Sequence, residues 1–237
     1  MNVYEIKTIG ETVSGNPYVG RGIVVGKSKN GKAAVAYFIM GRSNNSRNRV
    51  FTEKNGEVFT EPFDASKVID PSLIIYAAIR RYNDKLIVTN GDQTDTIYDA
   101  LKEGKCFSSA LKTRKFEPDA PNFTPRISAM LDLSEPFSYK MSILKSADEK
   151  GTACNRYTFD YESLDGVGHF IHTYVTDGNP IPTFLGEPER VVIPDSIDEF
   201  TSDLWDSLDK DNKISLYVRY IDLATGKEEN RLINKNK

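Results

Sequence analysis

The hairpin sequence at residues 22–40, GIVVGKSKNGKAAVAYFIM, decides the class of fold. It contains two apolar runs, residues 22–26 and 33–40, and continuous apolar runs of this length predict buried strands. Asn30-Gly31 lies between the runs, and both residues tolerate positive φ, so a tight antiparallel turn is expected there. The stretch therefore indicates an antiparallel sheet.

The rest of the chain repeats this pattern with few helices between the strands. Residues 50–53 and 57–60 flank Lys54-Asn55-Gly56 as a second hairpin, and residues 73–79 and 86–89 form a third around Asn83-Asp84. Further strands are predicted at residues 126–131, 137–144, 153–161, 168–175 and 214–220, with a last strand after residues 225–227. One helix is predicted to follow the opening segment 90–95 and to end at residue 102. Two more helices are predicted at residues 107–115 and 195–209.

Hairpins dominate and the helices form two clusters, which favours an α+β fold with mostly antiparallel sheets over a doubly wound parallel one. No linker-like segment divides residues 1–237, so a single domain is expected. Its first fifteen residues are polar and lack clear periodicity, and they are expected to form an N-terminal arm or a short edge strand.

The composition is that of an ordinary globular protein, with 39% hydrophobic and 27% charged residues. A net charge of −3 argues against general nucleic-acid binding, which favours basic domains. No apolar run is long enough to span a membrane, and the first residues lack the apolar core of a secretory signal, so a cytoplasmic location is expected. Two distant cysteines suggest neither a disulfide framework nor a metal site.

The segment GRSNNSRNR at residues 41–49 carries three arginines and no acid directly after a predicted strand. Arginine presents a planar fork that matches phosphate oxygens, so Arg42, Ser43 and Arg47 are candidates for binding an anion. The alternative is a solvated loop whose asparagines and serines satisfy turn backbone.

A second polar segment, NGDQTD at residues 90–95, leaves a strand and opens a helix. Free backbone N–H groups at such a point suit an anion or a polar ring edge, although plain capping by Asp92 or Thr94 explains part of the pattern. Arg126 lies where an ordered loop enters a predicted strand, which makes it a candidate for ligand binding. The alternative interpretation is that Arg126 is a surface cation.

The histidines are His169 and His172, three residues apart on a predicted strand. That spacing places them on opposite faces, so a shared metal site is not expected. The sequence has no HExxH, no P-loop, no dinucleotide-binding glycine motif and no G-x-S-x-G elbow.

Several of these stretches occur together in a familiar order. They are NPYVGR at residues 16–21, GRS followed by Arg47, Tyr76, VTNGDQTD at residues 88–95, and TPRI at residues 124–127. In this order the sequence resembles the archaeal-type IMP cyclohydrolase family, from about residue 16 to the region of Ile193. GHFIHTY at residues 168–174 and GEP at 186–188 are similar to motifs of bacterial relatives.

The resemblance implies a four-layer αββα sandwich of the Ntn-hydrolase type. It also implies closure of 5-formamidoimidazole-4-carboxamide ribotide to IMP with loss of water, using no metal or organic cofactor. The substrate is a small purine-like ribonucleotide, and neither nucleic acid nor membrane is an expected partner. The sequence differs from compact archaeal members in two ways, because it has an arm before the first motif and a longer second half. Whether the protein forms a homo-oligomer, and which substrate it takes, therefore stay open.

The resemblance also assigns roles to residues. Tyr76 and Asp95 are the catalytic candidates for proton transfer and orientation, and Arg42 is a third catalytic candidate that would bind the phosphate or the ring carboxamide. The substrate-binding candidates are Arg21, Ser43, Arg47, Asn90, Gly91, Thr94 and Arg126.

Two alternatives remain at this stage. One is a purine-nucleotide-binding module that keeps the pocket and has lost turnover. The other, an Ntn-type hydrolase, is disfavoured because the sequence starts Met1-Asn2, without an N-terminal Ser, Thr or Cys nucleophile.

Overall fold

The computed structural model describes residue 2, residues 4–68 and residues 75–236, and within them the chain forms two antiparallel sheets. The first sheet has the order β11-β10-β1-β2-β12-β13. Its strands are β1 (Arg21–Lys27), β2 (Lys32–Met40), β10 (Val167–His172), β11 (Glu189–Val192), β12 (Lys213–Asp222) and β13 (Glu228–Asn234).

The second sheet has seven strands in sequence order, from β3 to β9. They are β3 (Arg49–Lys54), β4 (Glu57–Pro62), β5 (Tyr76–Tyr82), β6 (Lys85–Thr89), β7 (Arg126–Asp132), β8 (Ser138–Ser146) and β9 (Cys154–Glu162). The helices are α1 (Ile9–Val13), α2 (Asn44–Arg47), α3 (Gln93–Lys102), α4 (Phe107–Leu111) and α5 (Ile197–Ser207), with a short 3-10 turn at Ala65–Lys67. The predicted α+β class with mostly antiparallel sheets is confirmed.

The opening hairpin forms as predicted, with Gly22 opposite Phe38 and Gly26 opposite Ala34. Its glycines are needed for close packing. A Cβ on Gly22 would lie 2.4 Å from the Phe38 ring, and one on Gly26 would lie 2.5 Å from the Cα atom of Gly168. The predicted hairpins β3–β4 and β5–β6 also form. Residues 73 and 74, which begin the strand predicted at 73–79, lie outside the described residues.

Apolar side chains form three clusters. The largest fills the space between the two sheets and includes Val35 and Tyr37 of β2 and Val88 of β6. A second cluster packs α1 and α5 against the first sheet, and a third packs α3 and α4 against the second sheet. Each sheet is thus covered on one face by the other sheet and on the opposite face by helices.

The N-terminal segment differs from the expected arm or edge strand, because it contains the helix α1. Thr8 and Glu11 form a capping box at its start, and Ile9 and Val13 are buried. The N–H of Gly10 donates to a carboxylate oxygen of Asp203 in α5 at 2.8 Å. The T-x-x-E spacing was a local signal for this helix, and tertiary packing stabilises so short an element.

The helix expected at residues 195–209 spans Ile197–Ser207, and two other elements end earlier than predicted. The helix expected at residues 107–115 ends at Leu111, because Thr113 and Arg114 donate to carbonyls three residues back and tighten the chain into turns. The strand expected at residues 168–175 ends at His172, after which Thr173 donates to the Arg21 carbonyl. No helix in the described part of the chain combines the length and apolar character that a membrane crossing requires.

Candidate active site

The arginine segment 41–49 contains a turn of helix, α2, where a loop was expected. The Ser43 hydroxyl accepts a hydrogen bond from the backbone N–H of Ser46 and caps this helix. Arg47 is exposed and donates to the carbonyl of Gly41 at 3.0 Å and to the side chain of Asn212 at 2.9 Å. Ser43 and Arg47 therefore hold the segment in shape.

Arg42 lies at the surface, where its guanidinium forms an ion pair with Asp177 and donates to the Gly178 carbonyl at 2.8 Å. The guanidinium also lies 5.2 Å from the ring centre of Tyr18. Since an exposed ion pair already occupies this arginine, its charge is partly neutralised before any ligand arrives.

Arg49 is the arginine of this segment that turns inward. It is 4% exposed, and it donates to the carbonyls of Ser46 at 2.8 Å and Met40 at 3.3 Å. Within the described chain no carboxylate pairs with it. Burial raises the pKa of Tyr37 and of Glu117, and the positive charge of Arg49 acts against both shifts. A buried cation without a carboxylate partner is suited to hold an anionic ligand.

Arg21 and Glu117 form a buried ion pair, with 2.9 Å between an Arg21 Nη2 and a Glu117 Oε1 atom. Burial raises the pKa of Glu117, although Arg21 and Arg126 act to lower it. Burial also acts to lower the pKa of Arg21, but Glu117 and three tyrosines outweigh it and hold that pKa well above its ordinary value. The pair therefore combines a permanent cation with an unusually basic carboxylate.

A tyrosine pair lies beside this ion pair. The hydroxyls of Tyr37 on β2 and Tyr76 on β5 are 2.7 Å apart across the space between the sheets. Burial and the neighbouring Tyr76 raise the pKa of Tyr37 well above its ordinary value, so its hydroxyl stays protonated near neutral pH. One hydroxyl donates to the other, and the proton of the second remains for a ligand.

We call Arg21, Tyr37, Arg49, Tyr76 and Glu117 the inter-sheet cluster. Among the described residues, the Nε of Arg21 and the hydroxyl of Thr60, opposite Tyr76, are buried without a hydrogen-bond partner. Unsatisfied buried donors are costly in a folded protein. Together with the ion pair and the two hydroxyls, they give a polar ligand groups to pair with.

The polar segment at residues 90–95 holds α3 against β7. The side chain of Asn90 donates to the Pro125 carbonyl at 2.9 Å and accepts from Gln93 and from the N–H of Ile127. The hydroxyl of Thr94 lies 2.7 Å from that of Thr89, and Thr89 in turn bonds the Gly91 carbonyl.

Arg126 is buried and donates to Asp92 at 2.6 Å and Gln93 at 2.7 Å. The structure thus engages Asn90, Gly91, Thr94 and Arg126 in contacts within the protein. Burial raises the pKa of Glu117, and the positive charge of Arg126 acts against that shift.

Asp95 and Tyr76, both proposed as catalytic, are not brought together. Asp95 is an exposed residue on α3, and its carboxylate pairs with Arg80 at 2.8 Å. The Tyr76 hydroxyl, by contrast, lies between the sheets against Tyr37.

The two histidines contact different surroundings, as their spacing predicted. His169 bonds Tyr139 of the second sheet, whereas His172 lies 3.0 Å from Glu189 and 2.7 Å from the Tyr174 carbonyl. In the part of the chain that the structure describes, no three His, Cys, Asp or Glu side chains are placed to hold a metal ion.

Sequence reasoning did not select Tyr37, Arg49 or Glu117. Arg49 and Phe51 are two residues apart in β3 and therefore lie on the same face of the strand. The apolar Phe51 was thus a usable signal that Arg49 points inward. Glu117 sits between Phe116 and Pro118, an acid in apolar surroundings, which is a weaker signal. Tyr37 was indistinguishable from the core residues of its strand.

Comparisons with known proteins point to one family. A family model described as IMP cyclohydrolase-like protein matches residues 18–227. A protein of Methanocaldococcus jannaschii named IMP cyclohydrolase is 35% identical over 175 residues, which are 72% of this chain and 81% of that protein.

Two further proteins with the same name are similar over a shorter region. The one from Methanococcus aeolicus is 34% identical over 48% of this chain and 58% of its own length. The one from Methanopyrus kandleri is 33% identical over 48% of this chain and 59% of its own length. These two alignments thus span less than two thirds of the relatives' length.

Proposed function

Since this chain belongs to the IMP cyclohydrolase-like protein family, we propose that it is an IMP cyclohydrolase whose active site is the inter-sheet cluster. The reaction closes 5-formamidoimidazole-4-carboxamide ribotide to IMP and releases water. The observation that carries the assignment to the cluster is the buried Arg21–Glu117 pair beside the Tyr37–Tyr76 hydroxyl pair.

The reaction needs orientation and proton transfer more than a strong external nucleophile. The amide nitrogen attacks a formamide carbon of the same molecule, so the enzyme must hold the reactive rotamer. The attacking amide nitrogen and then the former formamide nitrogen each lose one proton, and the former formyl oxygen gains both before it leaves as water. One group that accepts a proton and returns it can serve both steps.

Glu117 is the proposed proton shuttle. Its carboxylate takes the amide proton during ring closure, and the resulting acid returns it to the departing oxygen. Burial raises the pKa of Glu117 and so makes its carboxylate a better base than an exposed glutamate. Arg21, held 2.9 Å away, keeps the carboxylate oriented and stays positively charged throughout.

The tyrosine pair is proposed to stabilise the tetrahedral oxygen. The free proton of the Tyr37–Tyr76 pair donates to this oxygen as negative charge develops on it. A donor already fixed by its neighbour needs little reorganisation at the moment of reaction. This role keeps Tyr76 among the catalytic residues, as a hydrogen-bond donor.

Arg49 is proposed to hold the phosphate of the ribotide. It is buried, charged and free of a carboxylate within the described chain, whereas Arg42 at the rim is paired with Asp177. The carbonyls of Ser46 and Met40 fix its orientation and leave other N–H groups for the ligand.

The finer features of the protein remain proposals too. The covering of each sheet by helices supports a single domain with a four-layer αββα sandwich of the Ntn-hydrolase type. We further propose a cytoplasmic enzyme that needs no cofactor and binds no nucleic acid.

The direct test supplies the formamido ribotide to the purified protein and follows IMP by chromatography. Multiple turnovers to IMP support the proposal. Tight binding of IMP without any conversion of the ribotide would instead identify a nucleotide-binding module, and neither binding nor conversion would reject both.

A further inference from the structure

A polar cavity lies between the sheets, at the end away from the inter-sheet cluster. Arg21 begins β1, whereas His169 pairs with Val25 four residues further along that strand. On the second sheet Arg126 begins β7, and Tyr139 of β8 pairs with Leu131 five residues later. The cavity around His169 and Tyr139 is therefore separate from the inter-sheet cluster.

Two cross-strand pairs face each other in this cavity. His169 is directly opposite Arg190 in the first sheet, and Tyr139 is directly opposite Tyr161 in the second. Residues opposite each other in an antiparallel pair share one face of the sheet. The His169 ring stacks on the Tyr161 ring with 3.7 Å between ring centres, so the two pairs are in contact.

The imidazole of His169 is held in one orientation. It is 7% exposed, and its Nδ1 lies 2.7 Å from the hydroxyl oxygen of Tyr139. Burial and the nearby charge of Arg190 lower the pKa of His169 to about 4, so the ring is neutral at pH 7. Burial raises the pKa of Tyr139, so its hydroxyl keeps its proton.

Which group donates in this contact depends on the His169 tautomer, and the site needs the tautomer in which the Tyr139 hydroxyl donates. The Tyr139 hydroxyl has a proton to donate, and Nδ1 of His169 is its partner within the described residues. Donation to Nδ1 leaves the ring proton on Nε2. That Nε2–H makes no hydrogen bond to any residue the structure describes, and His169 lines the cavity.

Arg190 supplies a second donor to the same space. It lines the cavity and is half-buried, and its guanidinium makes no ion pair in the described part of the chain. The cavity has a volume of about 160 Å³, well above the roughly 10–15 Å³ that one ordered water requires. The exposed side chains of Glu162 and Glu187 form part of its rim.

We propose that this cavity binds a small monocarboxylate, with the Arg190 guanidinium and the Nε2–H of His169 donating to the carboxylate oxygens. Arginine and carboxylate match as two parallel hydrogen bonds, and the imidazole N–H adds a third direction. The two rim glutamates repel anions of higher charge, so a singly charged carboxylate is favoured over a phosphate. This site is independent of the proposed cyclohydrolase reaction.

The test uses NMR of the full chain labelled with ¹⁵N-histidine, with acetate, phosphate and chloride as separate probes. The chain has two histidines, and His172→Asn assigns the spectrum. We expect His169 to carry its proton on Nε2, and acetate to shift this signal saturably. Chloride should give no saturable shift, and phosphate should bind more weakly than acetate.

Arg190→Gln should weaken acetate binding by about tenfold or more, because it removes a charge-assisted hydrogen bond. Arg156→Gln is the matched control, since Arg156 is an exposed arginine of β9 that donates only to backbone carbonyls. Its acetate affinity should equal that of the unsubstituted chain. Equal affinity of the Arg190→Gln protein, a proton on Nδ1, no saturable acetate shift, or phosphate binding as tight as acetate would each overturn the proposal.

Discussion

Replacing Arg49 by glutamine tests whether the buried arginine of the segment 41–49, and not one of its exposed arginines, binds the ligand. Arg49 is 4% exposed and its guanidinium has no carboxylate partner in the described chain, so a bound phosphate would be its counter-charge. A charge-assisted hydrogen bond contributes roughly 1.5–3 kcal/mol, so Arg49→Gln should weaken binding of IMP by about ten- to a hundredfold. Isothermal titration with IMP measures the change.

Arg42→Gln is the matched control. Arg42 forms an exposed ion pair with Asp177, and such pairs contribute roughly 0–1 kcal/mol, so IMP affinity should fall by no more than about fivefold. Arg49→Lys should recover part of the lost affinity, because lysine restores the charge without the planar fork.

The stability of the Arg49→Gln protein must be measured alongside its affinity. The substitution also removes donors to the carbonyls of Ser46 and Met40, and each hydrogen bond contributes about 0.5–1.5 kcal/mol to the free energy of unfolding. Urea denaturation gives the folded fraction for which the titration is corrected. Normal IMP affinity in folded Arg49→Gln, or a larger loss in Arg42→Gln, would refute the assignment of the phosphate to Arg49.

Three further predictions test the remaining parts of the site. Tyr76→Phe should lower kcat by about a hundredfold, the scale for losing an oxyanion donor, and leave IMP affinity nearly unchanged. Loss of affinity with normal kcat would show that Tyr76 only binds ligand. His172→Asn should keep most activity and lower the urea midpoint, since its ring bonds Glu189 and a backbone carbonyl; a hundredfold drop in kcat would make it catalytic. EDTA should leave turnover unchanged, and activity that is lost on chelation and restored by one divalent metal would contradict this.

Much of the fold could be predicted because its signals are local. Asn30-Gly31 between two apolar runs predicts β1–β2, and the Ser196–Glu199 spacing predicts the start of α5. The helix α1 was missed although Thr8 and Glu11 carry the same kind of signal. A five-residue helix has too little periodicity to be recognised, and its contact with α5 joins residues 193 positions apart.

The candidate site was predicted only in part, because it depends on contacts between distant residues. Arg21 and Tyr76 were selected from motifs, and both lie in the inter-sheet cluster. Their partners Glu117 and Tyr37 are 96 and 39 positions away, and no pattern of period two or 3.6 relates such pairs. For the arginine segment, the positive charge could be predicted from the sequence, but the guanidinium that turns inward could not.

Turnover by Glu117→Gln tests the central claim most directly. Glutamine keeps the shape of the side chain and removes its ability to accept a proton, so kcat for IMP formation should fall by about 10²–10⁴-fold. In the unsubstituted chain, kcat should decrease as pH falls through the raised pKa of Glu117, because protonation removes the base. The residual activity of the Gln variant should lack that decrease.

The measurement is kcat at saturating ribotide on protein whose folded fraction is known from circular dichroism, because breaking a buried ion pair also destabilises the fold. Glu103→Gln, at an exposed position beyond α3, is the control and should turn over normally. We expect folded Glu117→Gln protein that binds IMP and hardly forms it. Folded Glu117→Gln protein that forms IMP at the rate of the unsubstituted chain would contradict this expectation.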